Sequence, residues 1–255
     1  MKRLSGLLGL AVFLAIIGIW EAAARLGLVT PEQLPAPSSI IYALVSEFRD
    51  GNLAVEVGRT ARRLTLAFVI AGVVCIPAGF ALGRWELLHA AFRPLIEFLR
   101  PMPVIAILPI AVFLFGLGDG MVVSVIAFAS GWVVLLHAMD GIRSVDPILI
   151  DTGTTFQISG PRQFFTIVVP AAAPHVFTGL RLGLGTAVIV TVVVEFASGF
   201  GGGLGNYIDV SQGALRIPET YAGVGLIGLL GYLIGQVFLF AEHRLMAWHH
   251  GYTGH

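Results

Sequence analysis

Five stretches of this chain, residues 4–20, 64–83, 101–118, 120–139 and 220–241, run for 17 to 22 residues without an Asp, Glu, Lys or Arg. A sixth, 174–197, carries only Arg181 and Glu195, both toward its ends. A helix rises about 1.5 Å per residue, so about 20 residues cross the roughly 30 Å of bilayer hydrocarbon. Composition agrees: charged residues are 12% and hydrophobic residues 56% of the 255, too little charge to wet a soluble surface of this size. The expected fold is an all-α integral membrane protein of about six transmembrane helices.

The first stretch follows Lys2 and Arg3 and precedes Ala22-Ala23-Ala24, as in a cleaved signal peptide. Its apolar run is longer than a signal core and five more spans follow, so retention as a helix is expected. Pro31, Pro35 and Pro37 then make a stiff loop into PSSIIYALVSEF. Ser38 or Ser39 is the expected helix cap there, with Ile40, Ile41, Leu44, Val45 and Phe48 on one face. That pattern predicts an amphipathic helix lying in the membrane interface. With both termini inside, eight Lys and Arg fall on cytoplasmic loops and six outside, a bias in the expected direction but a small one.

Several chemistries are excluded or disfavoured. Lys2 is the only lysine, so the phosphate-cradling pattern G-x-x-x-x-G-K-[ST] is absent and any ATP hydrolysis belongs to another subunit. No basic patch interleaved with aromatics marks a nucleic-acid surface. Cys75 is the single cysteine, which leaves no intrachain disulfide or thiolate metal site. His243, His249, His250 and His255 come without carboxylate or thiol company and read as tail histidines, so no metal site and no catalytic residue is expected. Gly223-Val224-Gly225-Leu226-Ile227-Gly228 has dinucleotide-loop spacing but sits inside an apolar span, where glycines serve close helix packing. Gly79/Gly83, Gly179/Gly183 and Gly231/Gly235 read the same way.

Polar groups and prolines inside spans carry more. Pro77, Pro101, Pro103 and Pro109 each remove a backbone donor, and freed carbonyls in lipid must face protein or a wet cavity. Arg100 heads the stretch 101–118, His137 lies within 120–139 and Glu195 near the end of 174–197. With Met102, Pro103 and Trp132 they form the expected transport path. The longest polar segment of the second half, Asp146 to Arg181, reads as an amphipathic helix, a turn at ISGP and a second helix from Pro161. Its apolar residues include Ile148, Ile150, Phe156, Phe164, Phe165 and Ile167. Exposed aromatics there suggest a docking platform.

This segment resembles the cytoplasmic loop of binding-protein-dependent ABC importer permeases, which carries E-A-A, three residues, G, nine residues and I-x-L-P. Asp151 stands for the Glu, Thr152 and Gly153 for the two Ala, and Gln157 for the Gly; Ile167, Val169 and Pro170 close the motif, and PxxxxGLR (Pro174 to Arg181) follows. LRPMPVIAILPIAVFLFGLG, LPAPSSI and GLGNYI are similar to the branch importing sulfonates, taurine, nitrate and related anions. Gln157 in place of a turn glycine is the main departure. The resemblance implies a permease homodimer in the bacterial cytoplasmic (inner) membrane with both termini cytoplasmic, two ATPase subunits using ATP and Mg, and an external substrate-binding protein. The permease itself binds no cofactor. The implied ATPase-coupling residues are Asp151, Thr152, Gly153, Thr155, Phe156, Gln157, Ser159, Gly160 and Pro170. The implied organisation is an N-terminal helix (1–28), an external loop with the interfacial helix (29–60), a five-helix core (61–245) containing the coupling loop 140–173, and a tail (246–255). An ion-coupled secondary transporter or channel would want buried carboxylates or paired broken helices, and only Glu195 fits. A membrane-embedded enzyme would want clustered His, Asp or Glu, and none is present.

Overall fold

The computed structural model describes residues 2–246, so His249, His250, His255 and the tail beyond Met246 lie outside the described residues. Every regular element among them is helical, as lipid demands of a chain whose backbone must satisfy its own hydrogen bonds. In order these are α1 (Lys2–Arg25), α2 (Pro37–Asp50), α3 (Leu53–Arg84), α4 (Glu86–Leu99), a 3-10 turn (Val104–Ile107) and α5 (Leu108–Phe115). They continue as α6 (Asp119–Arg143), α7 (Pro147–Thr155), α8 (Gly160–Gln163), a π-helical turn (Phe164–Val168), α9 (Val169–Ser198), α10 (Leu204–Gly213) and α11 (Ile217–Leu245).

Four helical stretches among the described residues are long and apolar enough to span: Leu53–Arg84, Asp119–Arg143, Gly160–Ser198 and Ile217–Leu245. The pair Glu86–Leu99 and Val104–Phe115 makes a fifth if its 99° bend is taken as one broken span. The predicted stretch 4–20 falls on α1, and 64–83, 120–139, 174–197 and 220–241 fall on α3, α6, α9 and α11. The stretch 101–118 does not form one straight helix. Pro101 lies in the bend, Pro103 starts the 3-10 turn, and Pro109 takes the second position of α5, where no donor is needed. Gly116 (φ 69°) closes α5. Pro77 and Pro174, by contrast, sit inside unbroken helices. A search for uncharged stretches also passes over α4, because Glu86, Arg93 and Glu97 interrupt it.

The chain divides into two compact units. One comprises Met1–Thr60 and Glu195–Gly228. Here α2 forms as the spacing predicts, with Ile41, Tyr42, Val45 and Phe48 exposed, but its cap differs from expectation. The helix starts at Pro37 after Ala36. Neither Ser38 nor Ser39 caps it; instead the Glu21 carboxylate accepts from the Ser38 backbone N–H (3.0 Å) and hydroxyl (2.7 Å). A proline at the first helical position leaves the next amide as the orphan to satisfy, and a carboxylate near a helix N-terminus also meets its dipole favourably.

The other unit, Ala61–Val194 with Leu229–His255, is organised around α6, half of whose apolar window is buried. Small residues set the approach distances. A Cβ on Gly79 would lie 2.6 Å from the Leu135 carbonyl oxygen, and one on Gly83 2.8 Å from that of Met139, so α3 and α6 touch backbone to backbone. On the opposite side Gly179 and Gly183 bring α9 to within 2.4 Å of the His137 Cβ and 2.8 Å of a Val134 methyl by the same measure. Gly231 meets Val188, whereas Gly235 has open space. Met121, Val125, Ile126 and Val194 are the buried centre of this packing.

Candidate functional site: a rigid polar loop and a charged cavity

The loop between α6 and α9 is built from local signals. Asp146 caps α7, its carboxylate accepting from the Ile148 N–H at 2.9 Å, and Pro147 occupies the first helical position. The far end closes with two crossed bonds, Gln157 N–H to the Thr154 carbonyl (2.9 Å) and Ile158 N–H to the Gly153 carbonyl (3.0 Å). This is the Schellman ending, which requires a left-handed residue at its turn position. Gln157 supplies it with φ 56°, so the residue replacing the family's glycine adopts the glycine conformation. Gly153 is buried; a Cβ there would sit 2.6 Å from the Gln163 amide nitrogen and 2.7 Å from the Ile167 Cδ1. The spacing between the motif's small residue and its isoleucine therefore encodes a direct contact.

Asp151, Thr152, Thr155, Phe156, Gln157, Ser159 and Gly160 all lie on the exposed side. Phe156 leaves 75% of its surface uncovered. Beneath them Phe164 meets Phe80 edge-on at 6.2 Å and Phe165 at 5.3 Å, over the buried set Ile142, Val145, Val168 and Ala172. Pro170, the second residue of α9, is half-buried. The loop is thus a platform that rests on this buried set and leaves Phe156 and Phe165 exposed.

A cavity of about 630 Å³ opens where α4 bends, and Arg100, Met102, Trp132 and His137 all line it, with Arg93 and Asp140. Arg93 is engaged with Glu97 at 2.8 Å; no ion pair among the described residues involves Arg100. The His137 Nδ1 lies 2.8 Å from the Val133 carbonyl oxygen, to which it donates. Trp132 stacks edge-on against Phe128 at 5.8 Å. Pro103 is in the bend beside this cavity's Met102 and Val104 but does not line it.

Glu195 belongs to the other unit and has no exposed surface. Its carboxylate accepts from the Thr60 hydroxyl (2.8 Å) and the Gly205 N–H (3.1 Å), while Thr60 accepts from the Leu204 N–H (2.8 Å) and Glu56 from the Gly203 N–H. Together Glu56, Thr60 and Glu195 satisfy the first amides of α10, which otherwise have no partner. Gly203 (φ 101°) must be glycine, because a Cβ would lie 2.3 Å from the Glu195 oxygen.

Ion pairs at two further carboxylates were not legible in the sequence. The fully buried Arg63 donates to Asp119 in the first turn of α6, Nε to Oδ1 at 2.8 Å, and Arg62 shares the same carboxylate. Arg181, inside the predicted stretch 174–197, meets Glu242 of α11 at 2.5 Å. The charges were visible as charges; partners 56 and 61 residues away carry no local signal.

Comparison with known proteins completes the picture. Residues 60–247 match the family described as binding-protein-dependent transport system inner membrane component. The chain is 28% identical over 247 residues to the taurine transport system permease protein TauC of Escherichia coli, covering 95% of this chain and 90% of that one. It is 26% identical over 253 residues to the putative aliphatic sulfonates transport permease protein SsuC of Bacillus subtilis, covering 99% and 91%. With the nitrate import permease protein NrtB of Synechocystis it shares 28% over 193 residues, covering 76% and 70%. In structure it is similar to a chain of the inward-facing MetNI methionine ABC transporter, with TM-score 0.62 at 17% identity, over 76% of this chain and 94% of that one. The match over 60–247 and the helical fold agree: this chain belongs to the binding-protein-dependent transport system inner membrane components, the multi-pass permeases of ABC importers.

Proposed function

We propose that this permease carries a small organic or inorganic anion, of the sulfonate, taurine or nitrate kind, across the bacterial inner membrane. Two copies pair, an external binding protein delivers the substrate, and two cytoplasmic ATPase subunits supply the hydrolysis that a chain without a phosphate-binding loop cannot. Both termini and the loop 140–173 face the cytoplasm, and 61–245 is the working core behind the accessory segments 1–28 and 29–60. Relatives named for taurine, aliphatic sulfonate and nitrate transport support the substrate class. Arg100, in a cavity and with no ion-pair partner among the described residues, offers an anion a counter-charge.

The observation that carries the reading is the platform: a loop capped at both ends of α7, resting on a buried apolar set and exposing Phe156 with Ile148 and Phe165. A large aromatic held out by rigid backbone suits a groove on a partner. ATP-driven closure of the ATPase pair would push on it, and the push would tilt α6 and α9, between which the loop is strung. Asp151, Thr152, Thr155, Gln157, Ser159 and Gly160 form the contact rim, and Gly153 and Pro170 set its attachment. Arg100, Met102, Trp132 and His137 line the path, the Pro103 bend shapes it, and Glu195 acts by fixing α10. Replacing Phe156 by Glu tests this. Association with the ATPase subunits should fall below detection in a pull-down while membrane insertion stays intact; full association would overturn the assignment.

A further inference from the structure

Helix α7 has nine residues, too few to hold a helical shape without help. Beyond its caps, one side chain ties it to the chain that follows. The Gln163 amide nitrogen donates to the Ile150 carbonyl oxygen and, at 3.3 Å, to the Thr154 hydroxyl, using both of its hydrogens. Among the described residues these are the side-chain hydrogen bonds that join α7 to the helix behind it. Gly153 leaves the room for them, since a Cβ there would fall 2.6 Å from the same nitrogen.

The position of Gln163 matters as much as its bonds. It ends α8, and the next five residues, Phe164–Val168, form the π turn that leads into α9. A π turn is a wide, locally weakened piece of helix, and such turns cluster at functional sites. Movement of α7 transmitted through the backbone alone would cross the Gln157 turn and then this softer segment. The Gln163 bridge bypasses the first, and the Ile167 contact with Gly153 grips α7 from within the second.

We infer that Gln163 is a positioning residue that makes α7 and the membrane-spanning helix α9 move as one body, so that a push received at Phe156 reaches the span. This rests on the reading of α7 as the ATPase-coupling helix. The role differs from simple support of α7, because it predicts loss of transmission without loss of docking.

The test uses the full permease assembled with its ATPase subunits in nanodiscs, with hydrogen exchange followed in α7 and α9 before and after trapping with Mg-ATP and vanadate. In the wild type both segments should respond. In Gln163→Ala the ATPase should still bind and α7 should still respond, while the α9 response falls about fivefold, the shift that one hydrogen bond of about 1 kcal/mol produces. Gln163→Lys, which keeps a donor of comparable reach, should restore it. A wild-type α9 response in Gln163→Ala overturns the inference, as does loss of ATPase binding in that variant, which would make Gln163 a structural prop. If Phe156→Glu still binds the ATPase, or α9 is silent in the wild type, the coupling-helix reading itself has failed.

Discussion

The left-handed Gln157 gives the sharpest stability prediction. Holding a non-glycine residue at φ 56° costs about 1–2 kcal/mol. Gln157→Gly removes that cost but gives the unfolded chain extra freedom worth about 0.4–1 kcal/mol. The net expectation is a stabilisation of about 0.5–1 kcal/mol, confined to the last turn of α7, because both crossed bonds of the Schellman ending use backbone atoms and survive the change. Opening of that turn should become about two- to fivefold rarer. Hydrogen exchange at the amides of Gln157 and Ile158, the donors of those bonds, reads this directly. Gln157→Val should move the other way, since a β-branched residue tolerates this conformation worst. Transport should persist in the glycine variant. Faster exchange in Gln157→Gly, or no slowing relative to Gln157→Val, would refute the account of the turn.

Two other perturbations separate geometry from composition. Gly203→Ala should destabilise the protein by about 2–4 kcal/mol, read as a lowered unfolding midpoint in detergent, because its Cβ collides with the Glu195 carboxylate in a backbone that alanine already resists; Gly199→Ala, with φ 57° and open space around it, should cost only about 1–2 kcal/mol. Asp119→Ala should cost more than Arg62→Ala, because it removes a carboxylate bonded to the fully buried Arg63 guanidinium; Arg62→Ala, on the exposed side of the same carboxylate, should cost under about 1 kcal/mol, and equal unfolding midpoints for the two would contradict the assignment of Arg63 as the buried partner.

What the sequence made legible follows from the range of the forces involved. Lipid imposes a length and a polarity on each span independently of the others, so 64–83, 120–139, 174–197 and 220–241 could be placed one at a time. Glycines at Gly79, Gly83, Gly179 and Gly183 announced close approach because backbone contact tolerates little else. The bend in the third stretch was foreshadowed by Pro101, Pro103 and Pro109, but an absence of charge does not distinguish a straight span from a re-entrant pair. Helix α4 escaped for the converse reason: its charges sit on one side of an amphipathic helix. The loop motif could be matched residue by residue, yet the role of Gln163 could not, because its acceptors at Ile150 and Thr154 depend on how the turn folds back. Glu195 stood out as a charge in a span. That it clasps α10 through Thr60 and Gly205 rather than facing a cavity depends on a loop whose path four left-handed glycines set.

The side of the membrane on which the loop 140–173 lies tests the central claim most directly. In a Cys75→Ser background, which removes the native thiol, a cysteine in place of the exposed Phe156 can be challenged with a membrane-impermeant maleimide. The coupling account predicts no labelling in intact spheroplasts and full labelling in inverted vesicles stripped of the ATPase subunits. Labelling of intact spheroplasts would put the platform outside, where no ATPase can reach it.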